Sequence, residues 1–225
     1  MASKRTLMLV GSLLTMSLVF PSGGVAAEPS VETNVVFGTY SGLALLMDVY
    51  QPATPNGYGI VVIPGSGWHS GLDYDAAMLK QGREFPPAIN RLVAAGYTAF
   101  VINHRAAPRF HYQDAADDAQ RSVRFIRSNA ARYGIRPDRI GALGGSSGGH
   151  LVSLLGTLDG KGDPEALDPV QRESSKVQSV VAFYPATDLT KFEAPFSVAT
   201  VTALMGMRPM EIILIFSNPI FLILS

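Results

Sequence analysis

GALGGSSGGHLVSLLG (residues 141–156) places four glycines and two serines between a short apolar run and an apolar helical pattern. The run before it, RPDRIGALGG, reads as a buried strand. Leu151, Leu154, Leu155 and Leu158 stripe the helix after it. Strand, glycine-rich turn and helix in that order belong to an open α/β sheet, where chemistry gathers at the carboxyl ends of the strands. G-x-S-x-G at such a turn reads as a nucleophile elbow, with a purely structural glycine turn as the alternative. In an elbow the serine is strained, and the residues two before and two after must be small so that strand and helix pack closely. Two registers fit: Gly144 and Gly148 flank Ser146, or Gly145 and Gly149 flank Ser147. Spacing leaves both open. In either, the amides of the following helix face a developing anion.

Outward from this turn, strand-like and helix-like segments alternate. TNVVFGTY and ALLMDVYQP read as a hairpin with Ser41-Gly42 at its turn. YGIVVIPG is a continuous apolar run, as in a strand buried on both faces. FPPAINRLVAAG follows as a helix, with Pro86 and Pro87 in its first turn and Gly96 at its stop. YTAFVINHR is the next strand. The periodicity of Ala116, Ala119, Val123, Ile126 and Ala130 predicts a helix from Asp114 to about Tyr133. Acidic residues crowd its start and arginines its later turns, which suits the helix dipole and predicts an Asp117–Arg121 pair. VQSVVAFYP is one more buried strand, and residues 159–176 read as a polar surface loop. The predicted fold is α/β: a doubly wound, mostly parallel sheet with antiparallel edge strands at the N-terminal side.

The 225 residues suit one domain. Basic and acidic residues balance at 18 each, so nothing points to nucleic acid. The absence of cysteine excludes disulfides, thiolate metal sites and cysteine nucleophiles. Lys4 and Arg5, the apolar run Leu7–Phe20 and the small residues Val25–Ala27 predict a signal peptide over residues 1–27, cleaved before Glu28. The apolar run is short for a bilayer span, so the expected product is secreted or periplasmic, with no stable membrane span. Residues 28–225 then form the domain.

A second glycine-rich turn, in VVIPGSGWHSG, leaves the third strand. PGSGWHSG resembles the H-G-G-G-W segment, and GGSSGGHL the G-G-S-A-G-G-H-L segment, of α/β-hydrolase carboxylesterases. These are the hormone-sensitive-lipase-like enzymes and the related feruloyl and acetylxylan esterases. INHRAAPRFHYQDAADDAQRSVRFIR also resembles that family's Y-R-L-A-P segment and following helix. The resemblance implies an α/β-hydrolase fold and ester hydrolysis without cofactor or metal. It implies Ser146 as nucleophile, elbow glycines Gly144 and Gly148, and the amides of Ser66, Gly67 and Ser147 as oxyanion donors. Two departures stand out: Pro64 replaces the histidine that opens the glycine motif, and Ser66 replaces its middle glycine.

The activating partners are harder to find. Of the four histidines, only His150 follows Ser146, and it matches a non-catalytic histidine of the family. His69 lies beside the oxyanion loop, while His104 and His111 follow a strand end. Asp188, in YPATDLT, stands where some α/β-hydrolases place the acid, but it also reads as a helix N-cap. The motif resemblance fades by Leu204. The family continues with two strands whose loops carry acid and base. This chain continues to MEIILIFSNPIFLILS, with no aspartate or histidine, which reads as one buried strand or as the product of a truncated gene. The expected activity is serine-dependent hydrolysis of a small-molecule or polysaccharide ester, acetyl or feruloyl, with weak or no turnover. Two alternatives are an inactive hydrolase or binding module that keeps the pocket, and a peptidase or amidase of the same fold.

Overall fold

The computed structural model of the protein describes residues 28–188. The expected leader and the apolar C-terminal segment lie outside those residues. The elements run β1 (Ser30–Tyr40), β2 (Leu43–Gln51), β3 (Gly59–Ile63), α1 (Pro86–Ala94), β4 (Thr98–Ile102), α2 (Tyr112–Ser128), β5 (Ile140–Gly145), α3 (Ser146–Thr157) and β6 (Ser179–Phe183). They form one sheet in the order β1-β2-β4-β3-β5-β6. β1 pairs β2, and β2 pairs β4, antiparallel; β4, β3, β5 and β6 run parallel.

The β1–β2 hairpin turns at Ser41 (φ 46°) and Gly42 (φ 83°), two positive-φ residues in succession as its right-handed twist requires. The parallel strands β3, β4 and β5 are buried on both faces, which is why their sequences read as apolar runs; β6, expected to be a buried strand, is instead partly exposed at the sheet edge. Alternation divides the side chains of the three buried strands. Val61, Ile63, Phe100, Ile102 and Ala142 join Val123, Ile126, Leu151 and Leu155 of α2 and α3 on one face. Val62, Ala99, Val101 and Leu143 meet Phe85 and Ile89 at α1 on the other. Helices thus cover both faces. From β3 the chain first moves outward to β4, then returns to the opposite side of β3 to form β5. The carboxyl ends of β3 and β5 flank this reversal, the place where open α/β sheets bind ligands.

Two local expectations are corrected. α2 begins two residues earlier than its charge pattern suggests and ends at Ser128 rather than near Tyr133. The Asn129 side-chain amide donates to the Phe125 carbonyl (2.8 Å), and the chain then turns through Gly134 at φ 63°. The Asp117–Arg121 pair does not form. Asp117 accepts from Gln113 (2.9 Å), and Arg121 bonds Asp168 and the Phe37 carbonyl. The arginines of α2 are tethers. Arg124 donates to the Glu173 carbonyl (3.2 Å), and Arg127 to the carbonyls of Ser174 and Lys176. Carbonyls of a polar loop need donors, and α2 supplies them, so residues 159–176 lie fastened along the helix.

Two imidazoles are buried. His104 places Nδ1 2.7 Å from the Arg105 carbonyl. His150, on α3, lies 2.6 Å by Nδ1 from the Ala186 carbonyl and 2.9 Å by Nε2 from the Tyr112 hydroxyl. Since a carbonyl only accepts, Nδ1 carries the proton and Nε2 accepts from Tyr112. Burial pushes both histidines below the ordinary imidazole value, against the opposing effect of their carbonyl partners. The unfolded chain therefore binds protons that the fold refuses once pH falls below about 6.5, and stability falls with it. Stability is expected to decline steadily as pH drops below that value. Thermal unfolding between pH 8 and 5 measures it; a flat profile through that window contradicts the assignment.

Gly148 offers a steric test. It sits in α3, where alanine is ordinarily favoured over glycine by about 1 kcal/mol. A Cβ there would lie 2.0 Å from the Ile63 carbonyl oxygen. Gly148→Ala is expected to destabilise the fold by about 1–3 kcal/mol, the opposite sign to helix propensity. Denaturant midpoints of the two proteins decide it.

Candidate active site

The elbow is built by exclusion of side chains. A Cβ on Gly144 would meet the Gly148 carbonyl at 2.4 Å, and one on Gly148 would meet the Ile63 and Pro64 carbonyls at 2.0 and 2.7 Å. These glycines let the first turn of α3 press against the ends of β5 and β3. The reversal this forces falls on Ser146, at φ 52°, a left-handed conformation that a non-glycine residue rarely adopts. Ser146 is exposed, whereas Ser147 is buried. Of the two registers that spacing allows, the strained and accessible serine is therefore Ser146, with Gly144 and Gly148 as its flanking small residues.

The loop after β3 lies against this elbow. A Cβ on Gly65 would fall 3.0 Å from both Ser146 Cβ and the Gly145 carbonyl oxygen. Ser66 to His69 form a turn closed by the His69 N–H to the Ser66 carbonyl (3.2 Å), with Gly67 (φ 63°) and Trp68 (φ 56°) at its centre. A bulky residue at positive φ persists only where its surroundings hold it. Here Trp68 is buried, its ring meets His150 edge-on with centroids 5.6 Å apart, and its carbonyl accepts the Ala107 N–H (2.8 Å). The Ser70 N–H bonds the Ala107 carbonyl (2.9 Å), completing the attachment to the segment after β4.

The predicted oxyanion donors fare unequally. The Ser147 N–H lies in the first turn of α3, where no intrahelical carbonyl can reach it. The Gly67 N–H has no acceptor among the described residues. Ser66 is the correction. Its N–H donates to the Ser147 hydroxyl (2.8 Å), so it fastens the loop to the elbow and is not free for a substrate oxygen. The cause is Ser147 itself, whose side chain reaches across where the family motif has alanine. Ser66 Oγ and Trp68 Nε1 are buried without a partner among the described residues, so this loop retains unmet polar capacity.

No base stands out among the described histidines. Both nitrogens of His150 are engaged, which makes it a clamp between α3, α2 and the segment after β6. His69 is exposed on the loop, and His111 is exposed ahead of α2. Asp188 is exposed five residues past β6, and the helix it would cap lies outside the described residues. No group of three or more histidine, aspartate or glutamate side chains is gathered for a metal among the described residues. One acidic group went unmarked by any sequence pattern: Glu84, before α1, whose carboxylate accepts the Gly65 N–H (2.9 Å).

Comparison with known proteins places this geometry. The BD-FAE family profile matches residues 47–221, and so runs past Leu204, where the motif resemblance fades. Over 131 residues the chain is 31% identical to LipM of Mycobacterium tuberculosis, named a probable carboxylic ester hydrolase; the match takes in 58% of this chain and 28% of LipM. It is 31% identical to an acetylxylan esterase of Xylanibacter ruminicola over 112 residues, half of this chain and 22% of that one. The aligned region thus spans less than a third of these relatives. An acetyl ester-xyloside bifunctional hydrolase of Caldicellulosiruptor lactoaceticus superposes with a TM-score of 0.63 at 27% identity, covering 84% of this chain and 68% of its own. Sheet order, elbow and profile agree: the chain has the α/β-hydrolase fold and belongs to the BD-FAE family.

Proposed function

We propose that this chain is a serine hydrolase of carboxylic esters, with Ser146 as nucleophile. The observation that carries the reading is an exposed, left-handed serine at the β5–α3 turn, packed against a loop whose Gly67 N–H has no acceptor among the described residues. Ser146 Oγ adds to the ester carbonyl carbon. The carbonyl oxygen becomes an oxyanion held by the N–H groups of Gly67 and Ser147, preset for charge by loop and helix. Solvent takes the Ser146 hydroxyl proton during the addition and returns one to the departing alkoxide, so the tetrahedral intermediate expels the alcohol; water then hydrolyses the acyl ester, releasing the acid and restoring the Ser146 hydroxyl. The relatives' names support an acetyl ester, on a polysaccharide or a small molecule, as the substrate class. The leader supports export of the chain, with cleavage before Glu28.

The second reading is a catalytically silent ester-binding domain. The double engagement of His150 favours it, because an imidazole held by the Ala186 carbonyl and the Tyr112 hydroxyl has no nitrogen left to take the serine proton. A site with nucleophile and oxyanion donors but no base is expected to turn over p-nitrophenyl acetate roughly 10⁴–10⁶-fold below a complete triad. A fluorophosphonate probe separates the readings. Labelling that maps to Ser146 and disappears in Ser146→Ala supports the hydrolase. An unlabelled protein supports the silent domain, and labelling that survives the substitution removes Ser146 from the mechanism.

A further inference from the structure

G-x-S-x-G leaves the residue before the serine unspecified, yet here it is glycine. Conformation does not require this: Gly145 has an extended backbone (φ −126°, ψ 150°) that any residue adopts. Space does. A Cβ on Gly145 would lie 2.0 Å from Glu84 Oε1, and its three nearest atoms all belong to the Glu84 carboxyl group. That carboxyl group is shared. Oε2 accepts the Gly65 N–H at 2.9 Å, and Oε1 accepts the hydroxyl of Tyr184, just past the end of β6. A single side chain therefore touches the loop after β3, the elbow and the end of β6, although it is open to solvent on its remaining side. Hydrogen bonds to a carboxylate are stronger than neutral ones, and both of its oxygens are used.

We propose that Glu84 is a positioning residue whose carboxylate holds the Gly65–Gly67 loop against the elbow, presetting the Gly67 N–H for the oxyanion. The inference rests on the ester-hydrolase reading for its purpose, but not for its geometry. By taking the Gly65 N–H, Glu84 removes a competing donor and sets the direction of the next two amides. Gly145 is the complementary half of the device, since any side chain there would expel the carboxylate. The Tyr184 hydroxyl is pushed up by its bond to Glu84 and so remains a donor.

Amide hydrogen exchange across residues 64–69 tests this in the full chain, alongside fluorophosphonate labelling. Glu84→Ala is expected to speed exchange at Gly65–Gly67 about ten-fold or more while β5 keeps its protection; Glu84→Gln, which retains an acceptor, stays within about three-fold. Gly145→Ala should reproduce Glu84→Ala, and adding it to Glu84→Ala should cause little further change, because the clash partner is gone. Labelling of Ser146 should slow about ten-fold in Glu84→Ala and recover in Glu84→Gln. Wild-type exchange rates in Glu84→Ala, or a Gly145→Ala effect just as large without Glu84, overturn the proposal. A wild-type protein that the probe never labels sinks the hydrolase reading, while the exchange comparison still decides the role of Glu84.

Discussion

Where β3, β5 and α3 converge, backbone lies on backbone with no side chain between, and the site depends on that contact. Gly148 rests on the Ile63 carbonyl, and Gly144 rests on Gly148. A helix axis this close to a strand end can be reached only by an abrupt reversal. The reversal falls on one residue, which is driven to positive φ and lifted above the sheet. The same approach brings the unbonded amides of the first helical turn to the end of β3. Exposure of Ser146 and the approach of the helix amides to the end of β3 are two results of one packing constraint.

The loop after β3 gains its shape from partners distant in sequence. A hydroxyl on the elbow helix takes the Ser66 amide, a carboxylate ahead of α1 takes the Gly65 amide, and the segment after β4 grips residues 68–70. Trp68 leans on His150, which is itself held from two sides. A loop held at this many points has little freedom to move, and in the proposed reaction that is the condition under which fixed dipoles stabilise developing charge most. Ser147 illustrates the trade. Its hydroxyl adds rigidity but removes one amide from the set that could face an oxyanion.

Much of the architecture was legible along the chain. Parallel strands buried on both faces read as unbroken apolar runs, as in IVVI and AFVI. The Ser41-Gly42 hairpin announced itself through turn chemistry, and the elbow glycines through a spacing that steric contact imposes. Failures were of another kind. Asp117 and Arg121 sit one helical turn apart, yet each found a different partner, because Asp168 and the Phe37 carbonyl approach from elsewhere in the fold. The arginines of α2 read as complements to a dipole and proved to be donors for a loop. A one-dimensional pattern records which groups are available, not which competitor arrives.

Local order, the class of fold and the small residues at the elbow follow from the amino-acid sequence, because they reflect periodicity and steric limits between near neighbours. Spacing alone did not choose between Ser146 and Ser147, since it is symmetrical about the pair; the family motif pointed to Ser146, and backbone angle and exposure separate the two in the fold. Nor did any sequence pattern announce the loss of the Ser66 amide or the place of Glu84. Their partners are 81, 19 and 100 residues away, and no local rule couples positions that far apart. Folding brings those groups within hydrogen-bond distance, and at that range single contacts settle which atoms are left free to meet a substrate.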